Sequence, residues 1–347
     1  MYKRQGQLRA QFQIAVGLDN WKTGDDTPLT ASGTLRGGIV AELTRLLELK
    51  DIPVAGDAAG TAQVSGTLGD PHVAADFQLT RGTLRDEPFD RFNGHLNYTG
   101  SLIELTGGQV NAGNGQATVN ASYHHAPGHI DTGHLQMRLS TNARSLEQIH
   151  TLQNQFPGLK GTVQVAADGE LDIAPAAGGG SPSFRLTALN ADITGHGLQI
   201  STQALGDTHL TASSQGNVLR AHLESNAANS AVRGDGEWKL EGDYPGTATI
   251  TFAKLDLVQL RAWLEPSLAG QASPFAGSAE GQLRIDGPIL QRQVLKAELR
   301  IPKFEFGPAP DSELPAGRLM LHNTGPLVAT MTNNVITVES ALSLIHI

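Results

Sequence analysis

The residues best suited to chemistry are the histidines, and four of the chain's 12 fall close together: His124, His125, His129 and His134, with Asp131 among them. Imidazole and carboxylate groups are common zinc ligands, but a metal site needs several of them to converge on one point. These four flank Pro127-Gly128, a turn signal, so the spacing points to a solvated hairpin loop. Two glycine pairs, Gly113-Asn114-Gly115 and Gly234-Asp235-Gly236, could offer backbone N–H groups to a phosphate. Neither is followed by a helix or by the Lys and Ser/Thr of a phosphate loop, and both read as bends or bulges. No Gly-x-Ser-x-Gly or His-Glu-x-x-His run occurs. Zero Cys excludes thiolate metal sites, cysteine nucleophiles and disulfides. The sequence therefore implies no enzyme, no cofactor and no metal.

What the chain must position instead is apolar surface. Apolar and polar residues alternate over most of its length, the period of a strand with one buried face. Phe77 and Leu79 follow Val73 and Ala75 in one such run, and Leu135, Met137 and Leu139 form another. Phe184 with Leu186, Leu198 with Ile200, Leu219 with Leu223, and Ile250 with Phe252 continue the pattern. Leu299 with Ile301, Leu319 with Leu321, and Met331 after Leu327 and Ala329 complete it. Turn signals separate the runs: Gly69-Asp70-Pro71, Gly113-Asn114-Gly115, Gly178-Gly179-Gly180, Asp286-Gly287-Pro288 and Asn333-Asn334. Short connections of this kind favour antiparallel neighbours.

Helical spacing is confined to three short stretches. Leu43, Leu46 and Leu47, then Leu146, Ile149 and Leu152, then Leu257, Leu260 and Leu264 predict helices near 41–49, 145–154 and 256–264. Each precedes a similar strand, opening at Gly60-Thr61-Ala62, Gly161-Thr162-Val163 or Gly277-Ser278-Ala279. The openings lie about a hundred residues apart, which predicts repeats over 59–158 and 159–275, flanked by partial ones over 6–58 and 276–341. Repeats of this kind bury their apolar faces only by stacking on one another.

Both ends read as foreign. Tyr2-Lys3-Arg4-Gln5 can be encoded by TATAAGAGACAG, and the reverse complement of that string encodes Leu342-Ser343-Leu344-Ile345, as one sequencing adapter read in two directions would. Residues 1–5 and 342–347 are therefore expected to be scars, to be set aside in fold reasoning. A leader or anchor preceding them would have been cut away.

Composition narrows the partners. A formal charge of −9 and the lack of any Lys/Arg cluster argue against nucleic acid. Aromatic residues, the stacking platforms for bases, are 5% of the chain. No apolar run approaches the roughly 20 residues of a membrane-spanning helix. A Cys-free chain suits an oxidising compartment.

A short Leu-rich helix, a Gly-x-Ala-x-x-x-Gly-x-Leu strand as at Gly60 to Leu68, a Gly-Asp-Pro turn, an apolar strand and a Gly-x-Gly strand recur in order. That series resembles the AsmA-like family, its TamB branch most closely, over nearly all of residues 6–341. The resemblance implies an all-β, mainly antiparallel fold: an elongated, twisted, U-shaped sheet of repeats whose apolar groove conducts phospholipid between inner and outer membranes. It further implies a periplasmic location, inner-membrane anchoring through an N-terminal segment, and an outer-membrane β-barrel partner. The groove would be lined by the alternating residues named above, in contact with acyl chains. Two other functions fit a strand-rich chain: assembly of outer-membrane or secreted proteins by strand templating, and a secreted β-solenoid adhesin. Against the solenoid stands the lack of a short regular coil repeat.

Overall fold

The computed structural model describes residues 7–14, 23–46, 53–175, 182–200, 203–227, 230–264, 273–309, 320–340 and 343–346. The chain divides into two units, Met1–Arg144 with Ile149–Thr151 and Val165–Thr187, and Ser145–Gln148 with Leu152–Gln164 and Ala188–Ile347. Both are built of antiparallel strands, as the alternation requires.

In the first unit the strands are β1 (Gln7–Ile14), β2 (Leu29–Ile39), β3 (Val54–Gly66), β4 (Pro71–Leu84), β5 (Glu87–Thr99), β6 (Leu102–Ala112), β7 (Gly115–Ala126) and β8 (His129–Thr141). After β9 (Arg144–Ser145), most of β10 (Leu159–Ala174) joins them. Each pairs with the next from β1 to β8, and β10 pairs with β8. In the second unit β11 (Ser183–Ile200) is followed by β12 (Gln203–Gln215), β13 (Val218–Ser225), β14 (Ala231–Lys239), β15 (Pro245–Asp256), β16 (Phe275–Pro288) and β17 (Lys296–Pro308). These pair in order, and β17 then pairs with both β18 (Met320–Asn323) and β19 (Leu327–Thr332). β19 continues to β20 (Val335–Ser340), and β18 to β21 (Ser343–His346). Neither ladder closes on itself among the described residues.

The three expected helices are present and short. α1 (Val40–Leu46) and α3 (Leu257–Leu264) each join two strands that pair with one another, β2 with β3 and β15 with β16. Asp256 Oδ1 accepts from the backbone N–H of Val258 at 2.8 Å and of Gln259 at 3.3 Å, an N-cap that starts α3. The 145–154 expectation resolves into a 3-10 turn over Leu146–Gln148 and α2 (His150–Gln155). Leu47 lies outside the described residues, as do Gly178-Gly179-Gly180.

Two glycine readings need correction. Gly234-Asp235-Gly236 is neither bend nor bulge: it pairs in unbroken register with β13 and β15. Its glycines make room, since a Cβ on Gly236 would overlap the Trp238 ring. Asp286-Gly287-Pro288 is not a turn either, but the end of β16, where Pro288 faces Pro245. At a strand end a missing N–H costs little. The real bulges sit elsewhere, at register shifts carrying Gly37, Gly107 and Gly197, all with φ between 58 and 66°. Asn333 and Asn334 do turn as expected, both with positive φ, as a two-residue type I′ hairpin demands.

At the end of the second unit Asn323 ties β18 to β17 and to the turn that follows it. Its Oδ1 accepts from Phe304 N at 2.7 Å, while its amide donates to the carbonyls of Pro302 and Gly325 at 2.9 and 2.8 Å. β21 comprises residues expected to be scar, pairing Ser343 to His346 with β18. β18 keeps its separate pairing to β17. Removing residues 342–347 is therefore expected to leave thermal unfolding coincident with that of the untrimmed chain; a clear loss on trimming would make them part of the native fold.

Candidate functional site

Residues directly opposite in a ladder share a face, so the registers can be followed from strand to strand. In the first unit one row runs Phe12, Ala31, Val64, Val73, Tyr98, Ile103, Tyr123, Leu135, Leu171 across nine strands. The next row on that face runs Ala10, Gly33, Ala62, Ala75, Leu96, Leu105, Ala121, Met137, Gly169. Neither contains a charged side chain. The second unit has its own pair. Ile193, Leu210, Leu223, Gly234, Ile250, Leu283, Leu299, Ala329 and Val338 make one row, and Ala191, Ala212, Ala221, Gly236, Ala248, Ile285, Ala297, Met331 and Ile336 the other. At about 4.8 Å per strand, each row follows its ladder for roughly 38 Å.

The sequence-derived lining residues can now be placed. Phe77, Leu79, Leu135, Met137 and Leu139 share the first unit's apolar face, and Leu219, Leu223, Ile250, Phe252, Leu299, Ile301, Leu321 and Met331 that of the second. Leu198 and Ile200 follow the bulge at Gly197, and a Cβ on Gly195 would touch Leu198, so Leu198 stays on the side of Ile193 and Gly195. Phe184 and Leu186 precede the β11–β12 ladder, which begins at Asn190. Leu319 lies outside the described residues.

Within each unit little of the described protein covers these faces. Among the described residues only Val40, Ala58, Phe89, Ala112, Leu146, Leu240 and Ala279 are buried hydrophobics. Most residues of the apolar rows are half-buried. Exposure rises toward the ends of the ladders, to 74% at Phe12 on β1 and 71% at Ile336 on β20. Isolated exposed leucines are ordinary, but contiguous uncovered apolar rows mark a surface that binds something.

The opposite faces are polar and laced with cross-strand pairs. His95 Nδ1 lies 2.9 Å from Asp76 Oδ1, His134 Nδ1 2.9 Å from Asp172 Oδ1, and His222 Nδ1 2.8 Å from Asp235 Oδ1. Arg138 pairs with Asp168 and Arg220 with Glu237. A shallow depression in the second unit, walled by Asp192, Arg220, His222, Asp235 and Glu237, belongs to this polar face. Composition shows such residues; only the register shows them directly opposed.

These pairs give the fold a pH dependence. The hydrogen bond to Asp76, followed by its charge and that of Glu104, holds the His95 imidazole above its ordinary value of about 6.5. Asp235, then Glu224, does the same for His222. A raised folded value stabilises the fold fully below about pH 6.5 and loses that contribution as pH rises through the folded value. The melting temperature is expected to fall between about pH 6 and pH 8, with a shallower slope in His95→Gln/His222→Gln. An equal slope in that variant would deny the pairs this role.

The histidine cluster flanks a hairpin turn at Pro127-Gly128 as expected, with His124 and His129 exposed, but His125 is buried. His124 and His125 belong to β7, His129 and His134 to β8, and the loop is only Pro127-Gly128. Strand alternation sends His124 to the polar face, opposite His134, and His125 to the apolar face, opposite Gly133. Among the described residues no three His, Asp or Glu side chains come together to hold a metal ion. No described helix is long and apolar enough to cross a membrane. Neither a protein-family model, nor a curated protein, nor a solved structure matches the chain.

Proposed function

We propose that this chain is a segment of an AsmA/TamB-like protein of the bacterial periplasm, and that its apolar faces carry phospholipid acyl chains between inner and outer membranes. It is not a catalyst. The observation that carries this reading is the pair of uncharged rows that cross nine strands in each unit with almost none of the described residues of that unit over them. An acyl chain needs no directional partner, and burying about sixteen carbons at ~0.8 kcal/mol each is worth on the order of 12 kcal/mol. The Ala- and Gly-rich rows lie beside rows of Leu, Ile and Val, giving a smooth apolar track that crosses the strands. Along such a track a chain exchanges one set of contacts for an equivalent one, which favours sliding. Anchoring to the inner membrane and a β-barrel partner in the outer membrane follow from the family resemblance and are part of the proposal.

Native mass spectrometry of the protein purified from cells, followed by extraction, tests it. Co-purified phospholipid is the expected result. Absence of lipid together with bound β-strand peptides would transfer the function to strand templating, for which the exposed edge strand β1 would serve.

A further inference from the structure

Resting on the lipid reading, we propose that His125 anchors the polar end of an amphiphile on the first unit's apolar face, accepting a hydrogen bond from an amino- or hydroxyl-bearing headgroup. His125 stands two residues beyond Tyr123 along β7 and so shares its face, which otherwise carries no Asp, Glu, Lys, Arg or His in the rows traced above. Its ring stacks with two tyrosines of that face, Tyr123 with centroids 5.6 Å apart and Tyr98 at 6.4 Å. Only 8% of His125 is exposed.

The ring's hydrogen bonds define what it can take. Nδ1 lies 3.0 Å from the carbonyl oxygen of Ala126, which can only accept, so Nδ1 carries the hydrogen. In the neutral ring this leaves Nε2 as a bare acceptor. Nε2 is buried and has no hydrogen-bond partner among the described residues. A buried polar atom left unpaired is uncommon and calls for a ligand or another explanation. His125 also lines a depression of about 950 Å³ at the end of the β7–β8 hairpin, shared with His124, His129, Thr132 and His134 and walled further off by Asp172 and Arg185. Asp172 already pairs with both His134 and Arg185, whereas the buried imidazole acceptor of His125 has no partner among the described residues. A headgroup ending in a primary ammonium or hydroxyl supplies the missing donor. A choline headgroup, whose nitrogen bears no hydrogen, cannot.

The test loads the whole chain from vesicles of equal parts phosphatidylethanolamine and phosphatidylcholine with matched acyl chains, and reads bound lipid by mass spectrometry. Ethanolamine lipid is expected to be enriched about five-fold, the effect of one net hydrogen bond. His125→Phe keeps an aromatic ring beside the two tyrosines and should bring the ratio to one at unchanged total lipid. Stepwise N-methylation of the lipid tests the unsubstituted chain independently of any variant's folding, and binding should drop at the third methyl, where the last N–H is lost. Equal uptake of both lipids, enrichment that survives His125→Phe, or a gradual decline with methylation would overturn the anchor. Uptake of neither lipid would overturn the groove reading and the anchor with it.

Discussion

Replacing Met137 with Glu should strip the protein of lipid while leaving it folded. Met137 sits between Ala121 and Gly169 in its row, and with such small neighbours its side chain is 40% exposed. A carboxylate there keeps water within reach in the empty protein, so the stability cost is expected to stay below about 1 kcal/mol, as for surface changes generally. Lipid changes the balance. An acyl chain lying along the row would strip that water away, and desolvating an ion costs several kcal/mol even after relaxation. Protonation lowers that cost without abolishing it. Occupancy is expected to fall at least tenfold, equivalent to about 1.4 kcal/mol. The control must add the same charge on the other face. Gln136 is a poor choice, because its amide lies 3.4 Å from Glu170 and a second carboxylate would repel it. Ser140→Glu is cleaner, since Ser140 faces Thr118 and Ala166. Matched lipid occupancy in Met137→Glu and Ser140→Glu, at equal folded yield, would return the apolar face to ordinary uncovered sheet.

How far these faces could be read from the chain depends on which interaction determines each feature. Alternation at Phe77 and Leu79 or Leu135 to Leu139 is local, and it specified strand and face together. The helices at 257–264 and 40–46 were equally legible, because a period of 3.6 interrupts a period of two. The rows were not legible. Whether Phe92 stands opposite Val110 depends on the bulge at Gly107, just as the side taken by Leu198 depends on that at Gly197, and one residue of slip would reverse a whole strand. Glycine misled for a related reason. In a strand it can signal a bulge or a close approach, and the difference at Gly236 depends on a Trp238 ring whose position follows from packing. The histidine cluster was legible in part. His124 and His129 are exposed, as a solvated hairpin end implies, but the tight turn at Pro127-Gly128 leaves His125 within β7 and on the apolar face.

Gly236→Val is expected to destabilise the second unit, against what strand propensity alone would say. Valine favours strands and glycine weakens them. Gly236 has no left-handed backbone to protect, and its register with Ala221 and Ala248 is regular, so the backbone itself would accept valine. The objection is the indole of Trp238. A Cβ at position 236 would overlap Trp238 Cη2, and one at Gly246 would overlap Trp238 Cδ1, so the ring lies across both glycines. Valine forces the ring off this bed into solvent or against its neighbours, an overpacking that typically costs about 1–3 kcal/mol. Urea unfolding of Gly236→Val should show a loss of that order with little change in slope. The mechanism makes a second demand, because removing the ring removes the clash. In a double-mutant cycle Gly236→Val should be markedly less harmful, or favourable, in a Trp238→Val background, with a coupling energy of about 1–3 kcal/mol. Additive losses would mean that the indole does not lie over Gly236, and a stabilising single Gly236→Val would show strand propensity outweighing the ring.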